Sequence, residues 1–318
     1  MTYHVAVVGA TGMVGRKMLE ILEEYDFPVA SLTLLASPRS AGQTLVWRGQ
    51  EYTVEALTAE SFDRPLDIAF FSAGGGTSLE FAPIAAEKGV FVIDNSSAWR
   101  MNADISLIVP EVNFPDLDLE KSKIIANPNC STIQSVLPLK PLQDAFGLKR
   151  VVYTTYQAVS GSGQKGIADL ENGEKGGAPT NYPHPIYGNC IPHIDSFLPD
   201  GYTKEEVKMI EETRKILNLP DLPVSATCVR VPVWNGHSVA INVTLDKPAT
   251  VEEIQALFAS AEGIVLQDNP DEDFYPMPIN GSGRDEVFVG RIRKDESFPN
   301  TFHIWTVADN IRKGAASN

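Results

Sequence analysis

Cysteine is scarce in this chain, and positive charge is far outweighed by negative. Its 318 residues carry 26 Lys and Arg against 41 Asp and Glu, a formal net charge of -15. That balance argues against nucleic acid and anionic membrane surfaces as partners, because both reward clustered cations. It also means that any anionic ligand has to be held by a few locally placed cations. There are only three cysteines, Cys130, Cys190 and Cys228, far apart in sequence. An odd count without a framework points to a reducing compartment, and the expectation is a cytoplasmic protein. Of the five histidines none stands in an HExxH pattern, and paired CxxC motifs do not occur, so no metal site is read. No apolar run approaches the roughly 18 residues of a membrane span. Met1-Thr2-Tyr3-His4-Val5 enters a strand directly, with no basic and apolar stretch of a signal peptide. Repeats and low-complexity tracts are also missing. The length and the 43% hydrophobic content suit one large or two medium globular domains.

Two patterns divide the chain. Val5–Val8 reads as a short buried strand, followed by a glycine turn and a helix-spaced segment from Lys17 to Glu24. Further short strands are expected at Leu32–Ala36, Ile68–Ser72, Val90–Ile93, Leu107–Val109 and Ile124–Ala126, with a helix over Leu79 to Lys88. Alternating strands and helices predict a Rossmann-type, doubly wound parallel sheet. After Cys130 the strands lengthen and alternate: Val151–Val159, Val224–Val233, Ser238–Leu245, Val287–Arg293 and Thr301–Ala308. These fit a mostly antiparallel sheet with helices on one face, an α+β domain. Ser160 to Asp200 is rich in Gly, Pro and Asn and reads as long loops.

Gly9-x-x-Gly12-x-x-Gly15 follows the first strand and opens a helix. Glycines there permit a tight turn and close approach of a pyrophosphate, and the helix N-terminus supplies an anion site. A plain glycine-rich turn is the alternative. The second strand ends in Ala36-Ser37-Pro38-Arg39-Ser40-Ala41-Gly42. An NAD site usually has an acid at this point for the ribose 2′-hydroxyl. One Arg between two serines suits a 2′-phosphate instead, so the cofactor read is NADP.

Cys130 lies in Asn127-Pro128-Asn129-Cys130-Ser131-Thr132, between a strand and a helix-compatible segment. A thiol at a helix start faces free N–H groups, which favour thiolate, although a buried structural cysteine fits the position too. Arg100 closes the loop Asp94 to Arg100 after a strand end, where ligand crevices form. Arg230, by strand parity, shares a face with Val224, Ala226 and Cys228, and a cation there needs a counter-anion or a cleft. His237 follows the turn Trp234-Asn235-Gly236 near a strand end and is a candidate proton shuttle. Thr203 and Glu206 fit a capping box, which gives Glu206 a structural job. Glu205 and Lys208 share a helix face, and by pattern alone a solvated ion pair is the simpler reading.

Taken with Ser72-Ala73-Gly74-Gly75-Gly76, Gln157 to Gly163, Gly290 to Lys294 and Asp309 to Asn318, these segments resemble aspartate-β-semialdehyde dehydrogenase across nearly the whole chain. The resemblance implies reduction of L-aspartyl-β-phosphate by NADPH to the semialdehyde, with release of inorganic phosphate, in lysine, threonine, methionine and isoleucine biosynthesis. It implies a homodimer or tetramer. An NADP-binding domain is expected over residues 1–127, a catalytic and dimerisation domain over 128–308, and a segment 309–318 returning to the first. Carried over by motif, Cys130 is the nucleophile, His237 the acid–base and Gln157 the residue that orients the acyl group. Arg230 binds the α-carboxylate and Glu205 the amino group; Arg100, Asn129 and Lys208 surround the phosphate. Gly9, Thr11, Gly12, Met13, Val14, Ser37, Arg39, Ser40, Ser72, Ala73, Gly74, Ser160, Gly161 and Asn310 are expected on NADP. The family pattern runs past Asn318 into a longer helix and has more residues between Gly163 and Pro183. Three rivals stand beside this reading: an N-acetyl-γ-glutamyl-phosphate reductase-like enzyme, a Cys–His hydrolase using Cys130 and His237, and a non-catalytic NADP-sensing regulator.

Overall fold

Val5, Ala6, Val7 and Val8 are fully buried, so the strand Tyr3–Val8 is covered on both faces. That is the environment of a central strand in a parallel sheet with helices on each side. The computed structural model describes all residues, Met1–Asn318, and places this strand third in a seven-stranded sheet. The order is Glu55–Ala56, Val29–Ala36, Tyr3–Val8, Ile68–Phe71, Phe91–Asp94, Ile124–Ala126 and Ser106–Leu107, and every pairing is parallel. The helix Met13–Glu24 buries Met18, Leu19, Ile21 and Leu22, an apolar stripe at helical spacing. A second helix, Gly75–Glu87, follows the strand Ile68–Phe71. These elements, with Ala315–Asn318, form one unit ending at Pro128.

Asn129–Gly314 forms the other unit. Its six-stranded sheet runs Val224–Arg230, Leu148–Gln157, His237–Leu245, Thr301–Ala308, Val287–Lys294 and Ile264–Leu266. Three of the five pairings are antiparallel, as expected from the alternating pattern; the two outermost are parallel. The helices Cys130–Phe146, Lys204–Ile216 and Val251–Ala259 pack on this sheet. Val151, Tyr153, Thr155 and Gln157 are buried on the helix side, where the Tyr153 hydroxyl meets Thr213 Oγ1 at 3.0 Å. On the opposite side Tyr156 and Trp305 are partly exposed and pack with ring centroids 5.4 Å apart.

One expectation needs correcting, and one element was not foreseen. The stretch read as loop from Ser160 contains a helix, Gly163–Glu174. Its glycines lower helix propensity and hid it, but Gly166 lets the helix close on Val159, since a Cβ there would lie 2.4 Å from the Val159 carbonyl oxygen. Leu170 packs with Val159, Ile186 and Ile191, and that burial outweighs the poor propensity. The hairpin Thr44–Trp47 and Gln50–Thr53 was not foreseen. Its two-residue turn, Arg48-Gly49, has positive φ at both positions, the geometry of a type I′ turn without the usual Asn-Gly signal.

Candidate active site

In the first unit the glycine turn is closed by backbone. A Cβ on Gly9, whose φ is +85°, would lie 2.5 Å from the Ser72 carbonyl oxygen, and one on Gly15 would lie 2.3 Å from that of Gly9. Gly12 caps the helix Met13–Glu24 without any side-chain hydrogen bond, and its first turn carries no acid. Gly74 caps Gly75–Glu87 in the same bare way, with φ of 88°. Helix starts left open like this offer N–H groups to an anion. They border a cavity of about 480 Å³ lined by Gly9, Thr11, Gly12, Ser37, Arg39, Ser40, Ser72 and Ala73 among others. Met13 and Val14 open the first helix beside it. The residues present therefore fit a dinucleotide, with glycines admitting the pyrophosphate and the Arg39 loop at the second strand's end. Arg100 belongs to this unit and is buried; its Nε donates to the Asn127 carbonyl at 2.9 Å and its Nη2 to that of Asn95 at 3.0 Å.

The other expected residues gather in the second unit, through sheet register. Gln157 and Arg230 are paired last residues of parallel neighbours, and His237 begins the antiparallel strand on the far side of Leu148–Gln157. Three strand termini thus bring residues 157, 230 and 237 to one edge. Strand parity holds: Ala226, Cys228 and Arg230 are buried while Thr227 is exposed. Arg230 Nη1 donates to the Ala158 carbonyl at 2.7 Å, and its Nε, though buried, has no partner in the chain. The Ala158 N–H donates to His237 Nδ1 at 3.0 Å. That bond places the proton of a neutral imidazole on Nε2, which is buried and also without a partner in the chain. Burial, helped by the nearby Arg230 charge, holds His237 well below the ordinary histidine range, so the ring is neutral. Gly161 roofs both groups; a Cβ there would approach Arg230 Nη1 to 2.8 Å and His237 Nε2 to 3.1 Å. Ser160 and Asn310 lie beside this group, bonded to each other at 3.0 Å and, through Asn310 Oδ1, to the Gly236 N–H at 2.9 Å. Ser160, Gly161 and Asn310 all belong to the second unit, not to the cavity of the first.

Cys130 is the first residue of the helix Cys130–Phe146, half-buried, with Gly314 packed against it: a Cβ on Gly314 would lie 2.7 Å from the Cys130 Cβ. Asn129 caps that helix, its Oδ1 accepting the N–H groups of Ser131 at 2.9 Å and Thr132 at 3.2 Å. Asn129 Nδ2 and Gln157 Nε2 both donate to Glu205 Oε1, at 2.9 and 3.1 Å, while Lys208 Nζ sits 3.3 Å from Glu205 Oε2. Glu205 is not half of a solvated pair: only 5% of it is exposed. Burial pushes its carboxyl up, but Lys208, Asn129, Gln157 and Arg230 outweigh that and hold it below the usual range, so it is ionised. Burial likewise pulls Lys208 down, and Glu205 with Asp195, the latter at 2.8 Å, more than reverses it. The Thr203–Glu206 capping box forms, and Glu206 additionally accepts the Cys228 N–H at 3.1 Å. Cys228 is a buried thiol that burial pushes far up, which leaves it inert.

The second unit thus holds a half-buried thiol at a capped helix start, a neutral imidazole, and a buried guanidinium whose Nε lacks a partner in the chain. Residues 4–119 match the model of the semialdehyde dehydrogenase NAD binding domain, and residues 139–313 that of the semialdehyde dehydrogenase dimerisation domain. An aspartate-semialdehyde dehydrogenase of Aquifex aeolicus is 56% identical over 326 residues, covering 100% of this chain and 96% of the relative. The chain belongs to the aspartate-semialdehyde dehydrogenase family. It is therefore an oxidoreductase, which removes the hydrolase and the non-catalytic regulator as readings. The Bacillus subtilis enzyme of this family is 49% identical, covering 99% of this chain and 94% of its own. The structure of aspartate semialdehyde dehydrogenase II from Vibrio cholerae superposes with a TM-score of 0.94 at 45% identity, covering 100% and 96% of the two chains; the enzyme was also solved complexed with ASA. The Candida albicans family member, solved with NADP, superposes with a TM-score of 0.77 at 27% identity, covering 99% and 96%.

Two residues that hold the expected site residues were not foreseen from the sequence. Glu212 accepts the Asn129 backbone N–H, and Asp195 holds Lys208. Glu212 follows Glu205 by seven residues, a same-face spacing that could have signalled it. Asp195 sits in a loop and left no local signal.

Proposed function

We propose that this enzyme reduces L-aspartyl-β-phosphate with NADPH to L-aspartate-β-semialdehyde and phosphate, through a thioester on Cys130, in the cytoplasmic biosynthesis of lysine, threonine, methionine and isoleucine. The observation that carries the substrate assignment is the pair of buried, unpartnered groups under Gly161, Arg230 Nε and His237 Nε2. Buried donors left unpaired are costly unless a ligand completes them. Arg230 takes the α-carboxylate, and the ionised Glu205 takes the amino group. That last contact disfavours an N-acetylated glutamyl phosphate, whose nitrogen is uncharged.

The Cys130 thiolate attacks the acyl carbon, forming the S–C bond, and phosphate leaves with the electrons of the C–O bond. His237, the acid–base of this reading, presents its Nε2–H to the acyl oxygen where negative charge develops, and Gln157 orients the acyl group. Asn129, Lys208 and Arg100 are the phosphate ligands of this reading. NADPH, when bound, supplies the hydride that the thioester accepts. The resulting oxyanion reforms the carbonyl and expels the Cys130 thiolate, which leaves the aldehyde and the free enzyme.

The first unit, with the open helix starts at Gly12 and Gly74, is the cofactor domain of this reading, and Ser160, Gly161 and Asn310 remain proposed NADP ligands. NADP is favoured over NAD by Arg39 between Ser37 and Ser40, with no acid in that turn. The Candida albicans relative solved with NADP supports the same choice. A homodimer is proposed through the open face of the second sheet, where Tyr156 and Trp305 are partly exposed in the region matching the dimerisation model. The deciding assay runs in reverse, with aspartate semialdehyde, NADP and phosphate. Reduction of NADP that needs phosphate is expected, with much weaker reduction of NAD. Turnover that ignores phosphate would rule out the acyl-phosphate reading.

A further inference from the structure

Glu212 is a carboxylate for which the mechanism above has no use, yet only 1% of it is exposed. Its Oε2 accepts the backbone N–H of Asn129 at 2.6 Å, a short hydrogen bond. The helix Lys204–Ile216 turns one face to the nucleophile's turn. Glu205 takes the Asn129 side-chain amide at 2.9 Å, Met209 Sδ lies 3.5 Å from the Thr132 hydroxyl, and Glu212 takes the Asn129 backbone. These three follow at i, i+4 and i+7, the spacing of a single helical stripe. Asn129 is therefore gripped at two points by carboxylates of one helix, while its remaining side-chain oxygen caps Ser131 and Thr132. The next residue is Cys130. A carboxyl group buried this deeply is costly unless its bonds are made, and the bond to Asn129 is one of them, fixed to the backbone of that turn.

We propose that Glu212 is a positioning residue for Cys130, acting through the Asn129 backbone to fix the direction in which the thiol leaves the helix start. The inference rests on the reading of Cys130 as nucleophile. Its specific content is that reach matters at position 212 and charge does not. Glutamine keeps the length and offers a carboxamide oxygen to the same N–H; aspartate keeps the charge but falls one methylene short.

The test uses the full chain with Cys190→Ser, which removes the one exposed thiol. In that background Glu212→Gln, Glu212→Asp and Glu212→Ala are compared by reverse turnover, by the rate of Cys130 alkylation with iodoacetamide, and by thermal midpoint. Glu212→Gln is expected within about threefold of the parent in kcat and in alkylation. Glu212→Asp is expected to lose roughly 30- to 100-fold in kcat, the scale of a misplaced reacting group, with KM for semialdehyde and phosphate within about threefold. Glu212→Ala should resemble Glu212→Asp; if it does not fold, the Gln and Asp pair decides alone. The reverse ranking, Asp near the parent and Gln low, would overturn the proposal in favour of a charge effect. So would losses that follow the thermal midpoint or appear in KM, which mean a merely structural role. Cys130→Ala is the control: if it keeps turnover, the nucleophile reading fails and this inference falls with it. An inactive Cys130→Ala with all three Glu212 variants at parent rate sinks the inference alone.

Discussion

The two units build their sites from different material. The first uses backbone: glycines at 9, 12, 15 and 74, and helix starts that no side chain caps. The second uses buried side chains that satisfy one another, with Glu205 as the hub for Asn129, Gln157 and Lys208. A backbone site tolerates changes of side chain but not an added Cβ. A side-chain site tolerates movement of its loops only as far as its bonds allow, and fails by truncation. The difference matches the ligands proposed. A dinucleotide pyrophosphate needs several N–H groups at close range, whereas a reacting acyl group needs a few side chains of defined charge and protonation.

The largest expected effect is at the thiol. Cys130→Ala should lower turnover on the order of a million-fold, the usual cost of removing a nucleophile, while NADP binding measured by fluorescence persists. A variant retaining more than about a thousandth of the rate would remove covalent catalysis from the second unit's description.

That division of materials also explains what could be read from the sequence. The glycine turn, the Arg39 loop and the Asn129–Cys130 turn are contiguous, so their chemistry is written in short words. The first sheet's strands follow from buried runs such as Val5–Val8. Arg230 was placed on the correct face because strand parity is a local rule. What brings residues 157, 230 and 237 together is sheet register, which one sequence does not display; their grouping came from the family resemblance. The helix Gly163–Glu174 was missed because tertiary packing at Gly166 overrides a glycine-rich composition. Glu212 escaped because its partner lies 83 residues away.

His237→Ala should cost roughly a hundred- to a thousand-fold in kcat, the scale of one lost donor at a developing oxyanion. It also carries a pH signature. The folded protein holds His237 below its ordinary 6.5, so as pH falls past that value the unfolded chain takes up a proton that the folded one refuses. The stability that this group allows is full above 6.5 and is lost below it. Thermal midpoints should therefore drop less between neutral and acid pH in His237→Ala than in the parent. Parallel midpoint curves would mean that the ring is protonated in the folded state.

Arg230→Lys keeps the charge but not the fork, and kcat/KM should fall on the order of a hundredfold because a loosely held acyl group misses the thiolate. The KM for phosphate in the reverse direction should change little, whereas Arg100→Ala should raise it steeply. Matching profiles in the two variants would replace two anion sites by one shared pocket. In the first unit, Gly9→Ala tests the backbone site by addition. Its positive φ and the Ser72 carbonyl at 2.5 Å leave a methyl no room, so unfolding stability should fall by at least about 2 kcal/mol, with NADP affinity reduced. A neutral result in denaturant titration would mean that this turn can shift, and the contrast between the units would weaken.

The smallest effect expected is the one that best sharpens the contrast, because Arg39 is the side chain on which the first unit's cofactor preference is proposed to rest. It is exposed and lines the cavity beside Ser37 and Ser40. A guanidinium there gains a charge-assisted bond only if the ribose carries a 2′-phosphate. Arg39→Ala should weaken NADPH by about 1.5–3 kcal/mol and leave NADH nearly unchanged, as titration of each cofactor would read out. The preference ratio should therefore shrink by roughly ten- to a hundredfold through loss on the NADPH side alone. Because the glycine turn serves the pyrophosphate common to both cofactors, Gly9→Ala should weaken NADPH and NADH equally. Equal losses in Arg39→Ala as well would mean that Arg39 serves the pyrophosphate or the adenine, and that cofactor choice, like the pyrophosphate site, is set by backbone.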